Sequence, residues 1–79
     1  MPHVALKMIS GRSEEQKRML ATELARVVVS VLGCEDESIS VAIFDVKAGA
    51  WMSEVFTPEI EANRDRLYKL PGYASLAKA

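Results

Sequence analysis

The chain has 79 residues, of which 49% are hydrophobic and 27% charged, and its formal net charge is −1. This length predicts a single domain over residues 1–79, and the hydrophobic share excludes a disordered chain. Acidic and basic residues are interspersed, which argues against a nucleic-acid partner, and no apolar run approaches the length of a membrane span.

The chain has few residues that could stabilise so small a domain through a disulfide or a bound metal. Cys34 is the single cysteine and His3 the single histidine, so we expect neither an internal disulfide nor a bound metal. Small domains that lack both usually recruit a second subunit. We therefore expect a homo-oligomer. The lone thiol, together with the absence of a signal-peptide pattern, predicts a cytoplasmic protein.

The first predicted elements are a strand and a helix. Apolar and more polar residues alternate from His3 to Ile9, which predicts a strand with one apolar face. Ser13 to Gln16 fits a capping box, and an apolar stripe at three- and four-residue spacing follows it. Gly33 stands where a left-handed residue would end the helix. We expect a helix of about 19 residues, long enough to return the chain to the start of the sheet.

A second strand is predicted from Ser38 to Val46. Strand, helix and strand in this order form a βαβ unit with a parallel pair. Both faces of the second strand are largely apolar, so the helix can cover only one of them. Trp51 to Phe56 fits either a short strand or a helical turn. Thr57 and Pro58 then predict the start of a helix to Lys69, followed by a tail from Tyr73 to Ala79.

Pro2 carries the most unusual candidate chemistry. If Met1 is removed, Pro2 becomes a free secondary amine, a base unlike any side chain. An α-amino group has a pKa of about 7.7–8.0 in model peptides, and an apolar pocket lowers that value. Such an amine can move a proton between two atoms of a substrate, or add to a carbonyl. While Met1 is attached, the nitrogen is an amide and the protein is expected to be inactive.

Arg12 and Trp51 are the other two candidates. Arg12 follows the first strand and is either a solvated loop residue or a bidentate anchor for a carboxylate. It lies ten residues from Pro2, roughly 30 Å along an extended chain, so the two can share a site only across a subunit interface. A lone tryptophan usually packs in a core or an interface, and lining an apolar pocket is the alternative for Trp51.

Taken together, these features resemble the 4-oxalocrotonate tautomerase family of the tautomerase superfamily. The resemblance rests on Pro2, on "SGRSEEQK" entering the helix, on "SISVAIFDV" as the returning strand and on "KAGAW" after it. Their spacing fits the family without gaps over roughly the first fifty residues. The later "KLPGY" is similar to the slightly longer bacterial members, those of the PptA type.

The resemblance implies an α+β fold, a βαβ subunit with a C-terminal helix. The sheet of this subunit is expected to pair with that of a second subunit to form a dimer. The resemblance also implies a cofactor-free keto–enol tautomerase acting on a small 2-oxo or enol acid. By position, Pro2 matches the catalytic base, Arg12 an arginine that binds the substrate carboxylate from the neighbouring subunit, and Trp51 a pocket wall. Ile9 and Ser40 are expected to shape the same pocket.

Ser40 departs from the family prototype, which carries a second arginine at that position. Ser40 can donate a hydrogen bond but brings no charge. Losing such an electrostatic donor typically costs roughly 10²–10³-fold in rate, so a dicarboxylate should react poorly. A monocarboxylate enol such as phenylenolpyruvate is favoured. Two alternatives stay open: a non-catalytic dimeric binding module of the same fold, and a relative that uses the same amine for decarboxylation or hydration.

Overall fold

The computed structural model describes residues 1–74, and the chain separates into two compact units. The first comprises residues 1–47 and the second begins at Ala48. The part of the predicted tail from residue 75 onward lies outside the described residues. No helix of the described chain is long and apolar enough to cross a membrane.

The first unit is the predicted βαβ motif. Strand β1 (His3–Ile9) and strand β2 (Ser40–Val46) pair in parallel, with His3 opposite Ser40 and Ile9 opposite Val46. The Ser10 N–H continues the ladder by donating to the Val46 carbonyl at 2.9 Å. The connection between the strands is helix α1 (Glu14–Leu32), so the fold predicted from the sequence is confirmed.

Both ends of α1 are fixed by the signals that predicted them. The Gln16 N–H donates to Ser13 Oγ at 3.1 Å, and the Ser13 N–H donates to Gln16 Oε1 at 3.0 Å, which completes the capping box. At the other end Gly33 adopts φ 70°, a left-handed conformation that glycine accepts without a steric penalty, and its N–H donates to the Val29 carbonyl.

The two faces of the sheet have different environments. Helix α1 lies on the face that carries Met8 and Asp45, because Lys17 of α1 bonds to Asp45 and α1 and Met8 line a common groove. On the opposite face, within the described chain, the side chains of Ile9 and Phe44 each remain 47% exposed. The prediction that α1 can cover only one face is consistent with this arrangement.

The start of β2 was predicted two residues too early. Asp36–Ser38 form a single 3₁₀ turn, closed by the Ser38 N–H donating to the Glu35 carbonyl at 3.1 Å. The strand ladder therefore begins at Ser40, whose N–H donates to the Pro2 carbonyl at 3.3 Å.

The second unit is helical but begins earlier than its sequence signals predict. After a 3₁₀ turn at Ala48–Ala50, helix α2 (Met52–Glu61) has π-type hydrogen bonding, as in the Ala62 N–H donating to the Thr57 carbonyl at 3.2 Å. Pro58 lies inside α2 rather than at its first turn, and a 3₁₀ turn at Arg64–Arg66 replaces the predicted continuation to Lys69. Of the two conformations left open for residues 51–56, the helical one is found.

Candidate active site

Pro2 lies immediately before β1, at the end of the sheet where both strands begin. Its carbonyl accepts the Ser40 N–H at 3.3 Å, so the second residue of the chain is already part of the strand pairing. The Pro2 side chain is half-buried, whereas Met1 is fully exposed. Removal of Met1 would make the Pro2 nitrogen a terminal amine, on a residue that pairing with Ser40 holds at the end of the sheet.

Ser40 is brought next to Pro2 by the register of the sheet. It is the first residue of β2 and lies directly opposite His3. Ser40 Oγ and His3 Nδ1 share a hydrogen bond of 2.6 Å. Pro2, His3 and Ser40 therefore form one polar cluster. The sequence predictions used Pro2 and Ser40 but missed His3, although the only histidine of the chain, directly after the candidate base, was a signal worth following.

Arg12 lies beyond the opposite end of β1. Gly11 turns the chain there with φ 132°, a conformation that favours glycine, and Ser13 then caps α1. The Arg12 side chain is exposed, and no hydrogen bond or ion pair joins it to any of residues 1–74. Its guanidinium group is therefore free to bind an anion.

An apolar groove of about 390 Å³ begins beside Arg12 and runs between β1 and the first half of α1. Its lining combines three apolar side chains with four polar or charged ones: Met8, Met19 and Leu20, and Arg12, Gln16, Lys17 and Glu23. The Arg12 guanidinium, beside the apolar side chains of this groove, suits a ligand that has one carboxylate and an apolar body.

The neighbouring cation, Lys17, is held by carboxylates of the protein itself. Its Nζ donates to Asp45 Oδ2 and, at 3.3 Å, to Glu14 Oε1. The hydrogen bond to Asp45, followed by the one to Glu14 and the charges of both acids, raises the pKa of Lys17 above its ordinary value. Lys17 is thus bonded to two acids, whereas Arg12, in the same groove, has no such partner among residues 1–74.

The structure brings Pro2 and Ser40 together but keeps Arg12 apart from them. A seven-residue strand is about 20 Å long, and Pro2 and Arg12 lie beyond its two ends. One small substrate cannot touch both residues of the same chain. A shared site would need Arg12 from a second copy.

Ile9 and Trp51 occupy separate positions. Ile9 is the last residue of β1 and lies on the same face of the sheet as His3, opposite Val46. Trp51 belongs to the second unit, where it is half-buried at the start of α2. Its Nε1–H donates to Tyr73 Oη at 3.0 Å, and the Tyr73 ring lies 5.7 Å from the Phe56 ring, measured between centroids.

Comparisons with known proteins all indicate the same family. A family model described as "Tautomerase enzyme" matches residues 2–57. A "Probable tautomerase" of Xylella fastidiosa is 44% identical over 77 residues, which cover 98% of this chain and 94% of that protein. A "Tautomerase PptA" of Pectobacterium carotovorum is 39% identical over 75 residues, which cover 94% of this chain and 99% of that protein. The chain therefore belongs to the tautomerase family.

Proposed function

We propose that the chain is a cofactor-free keto–enol tautomerase, an isomerase that acts on a small 2-oxo or enol acid with Pro2 as its general base. The observation that carries the proposal is the position of Pro2, one residue from the chain start and tied to Ser40 at the ordered edge of the sheet. Family membership supports the same class of reaction.

The proposed mechanism follows from the properties of a free amine. After removal of Met1, the nitrogen of Pro2 accepts a proton from one atom of the substrate and returns it to another. The proton is conserved within the turnover, so the reaction needs neither an oxidant nor a second substrate. The Ser40 hydroxyl donates a hydrogen bond to the substrate oxygen on which charge develops.

Arg12 is proposed to bind the substrate carboxylate from a second subunit. Its lack of a bonded partner among residues 1–74 supports this role, and the length of β1 supports an arginine from another copy. Ile9 is proposed as an apolar wall of the same pocket. Since Arg12 is charged and Ser40 is neutral, the preferred substrate is a monocarboxylate enol with an apolar tail, such as phenylenolpyruvate.

A homodimer is proposed as the functional unit. Among residues 1–74 only Val55 and Phe56 are fully buried, each 4% exposed. Large apolar side chains remain exposed on α1 and on the open face of the sheet, including Val27, Val31 and Phe44. A second copy would bury such surface and complete the site. Cytoplasmic location is kept as part of the proposal because Cys34 is a free thiol.

The proposal is tested by comparing two forms of the same chain. The intact mass of the protein from its native cells shows whether Met1 is absent. The processed form and a form that retains Met1 are then assayed for ketonisation of phenylenolpyruvate. We expect activity in the processed form alone, because only its Pro2 nitrogen is basic. Equal rates for the two forms would overturn the mechanism.

The substrate preference is tested with a pair of enols. Phenylenolpyruvate and a dicarboxylate enol of similar length are compared by kcat/KM on the processed protein. We expect the monocarboxylate to react faster. A faster dicarboxylate would contradict the role given to Ser40 and require a second cation in the site.

A further inference from the structure

His3 is the titratable residue nearest the proposed base, and the proposed mechanism makes no use of it. It follows Pro2 directly in the chain, and its Nδ1 lies 2.6 Å from Ser40 Oγ. This contact is not local in sequence, since 37 positions separate the two residues. It exists because the register of the parallel sheet places His3 opposite Ser40.

A second hydrogen bond joins the same two segments. The Ser40 N–H donates to the carbonyl of Pro2 at 3.3 Å. Ser40 therefore holds residue 2 through its backbone and residue 3 through its side chain. Chain termini usually fray unless they are tied down, and a general base has to be held in place to act. The two bonds together supply that restraint.

The imidazole also fixes the direction of the Ser40 hydroxyl group. A serine hydroxyl has one donor and two acceptor positions and rotates freely unless a partner holds it. Both His3 and Ser40 are exposed, so without this bond water would compete for the hydroxyl. In the tautomer in which Nδ1–H donates to Oγ, the single hydroxyl proton of Ser40 stays available for the substrate oxygen.

We propose that His3 is a positioning residue that holds the start of β1 and the Ser40 hydroxyl, so that Pro2 and Ser40 act on one substrate together. This inference rests on the proposed function, because it assigns His3 a role in the same site. His3 itself does not exchange a proton with the substrate; its contribution passes through Ser40.

The first test compares two substitutions of His3 in the processed protein. His3→Leu removes the hydrogen bond, whereas His3→Asn keeps an amide group near the position of Nδ1. We expect His3→Leu to lower kcat for phenylenolpyruvate about three- to tenfold, the usual value of one hydrogen bond. His3→Asn should recover at least half of the lost rate. Ser40→Ala, which also removes the donor itself, should lower kcat more than His3→Leu, and the double variant should be no slower than Ser40→Ala alone.

The second test observes the hydrogen bond directly and does not depend on activity. Because the chain has one histidine, its imidazole ¹⁵N signals can be assigned without ambiguity. Ser40→Ala should shift these signals in the wild-type background, whereas Ser30→Ala, on the exposed side of α1, should not. This measurement keeps the inference testable if His3→Leu fails to fold.

The outcomes separate the inference from the proposed function. Unchanged kcat in His3→Leu, with activity abolished by retained Met1, overturns the role of His3 and leaves the tautomerase mechanism intact. The role of His3 is also overturned if His3→Leu and His3→Asn lower kcat equally. The same holds if Ser40→Ala leaves the imidazole ¹⁵N signals unchanged. An inactive processed wild-type protein overturns the proposed function, and the role of His3 with it.

Discussion

The two ends of β1 hold their polar residues in opposite ways. At the first end, Pro2 and His3 are both bonded to Ser40, at 3.3 and 2.6 Å. At the other end, Arg12 is exposed and bonded to none of residues 1–74, beside an apolar groove. A base must be held rigidly, whereas a carboxylate anchor must keep its hydrogen bonds for the ligand. The contrast fits the proposed site, which is divided between two subunits.

The largest loss of activity is expected from substitution of Pro2, at the start of β1. Pro2→Ala leaves an amine at the chain start after Met1 is removed but replaces the ring that sets its position and basicity. Since general base catalysis contributes about 10²–10⁴-fold, kcat/KM for phenylenolpyruvate should fall by at least about 10²-fold. The measurement is steady-state ketonisation by processed protein. Pro71→Ala, a proline substitution in the second unit, is the matched control and should keep wild-type rates. Equal loss in both variants would point to folding rather than to the base.

At the Arg12 end of β1, a substitution should weaken substrate binding. Arg12→Ala removes the proposed charged hydrogen bonds to the carboxylate, and such bonds contribute about 1.5–3 kcal/mol each. We therefore expect KM to rise about 10- to 100-fold with a smaller change in kcat. Arg12→Lys should recover part of this loss, because lysine keeps the charge but not the bidentate geometry.

Arg18→Ala provides the control for this end. Arg18 is an exposed arginine in the first half of α1, so its removal changes the net charge of the chain by the same amount. Its KM should stay at the wild-type value. A matching increase in KM would mean that overall charge, rather than the position of Arg12, attracts the substrate.

Mixing the two variants tests whether both ends serve one site. In a symmetric dimer that takes Pro2 from one subunit and Arg12 from the other, a heterodimer of Pro2→Ala and Arg12→Ala has one intact site. Random assembly of equal amounts then restores about a quarter of the wild-type sites. Refolding the two variants together and assaying the mixture measures this recovery. Adding the doubly substituted chain to Pro2→Ala should restore nothing. No recovery in the first mixture would contradict a shared site.

The sequence predicted the first unit better than the second, for a physical reason. Helix α1 has both of its boundaries encoded locally, by the capping box at Ser13 and the left-handed Gly33. In α2 the local signal was misleading: Thr57 and Pro58 are typical of a helix start, yet the helix begins at Met52 and includes Pro58. Tertiary context decided that boundary, and no short-range pattern carries such information.

The candidate site shows the same limit. Pro2, Ser40 and Arg12 could be selected by residue type and by the family resemblance, and the length of β1 correctly kept Pro2 apart from Arg12 within one chain. The pairing of His3 with Ser40 could not be predicted, because it depends on the register of two strands far apart in sequence. A shift of one residue would turn the Ser40 side chain to the other face of the sheet.

The smallest expected effect concerns stability at the groove. Because the pKa of Lys17 is raised in the folded protein, its bonds to Asp45 and Glu14 stabilise the fold wherever both acids are ionised and the pH is below the lysine pKa of the unfolded chain, about 10.4. This contribution is lost as the pH rises through the higher, folded value. Lys17→Gln should therefore lower Tm by a few degrees at pH 8, and the difference from wild type should shrink as the pH rises above about 10.

Lys47→Gln is the control, because Lys47 is an exposed lysine just after β2. Its Tm should follow the wild-type pH dependence within error, whereas that of Lys17→Gln should converge on wild type only at alkaline pH. A Tm difference for Lys17→Gln that is independent of pH would show that the aliphatic part of Lys17 packs against the groove and that its charge contributes little.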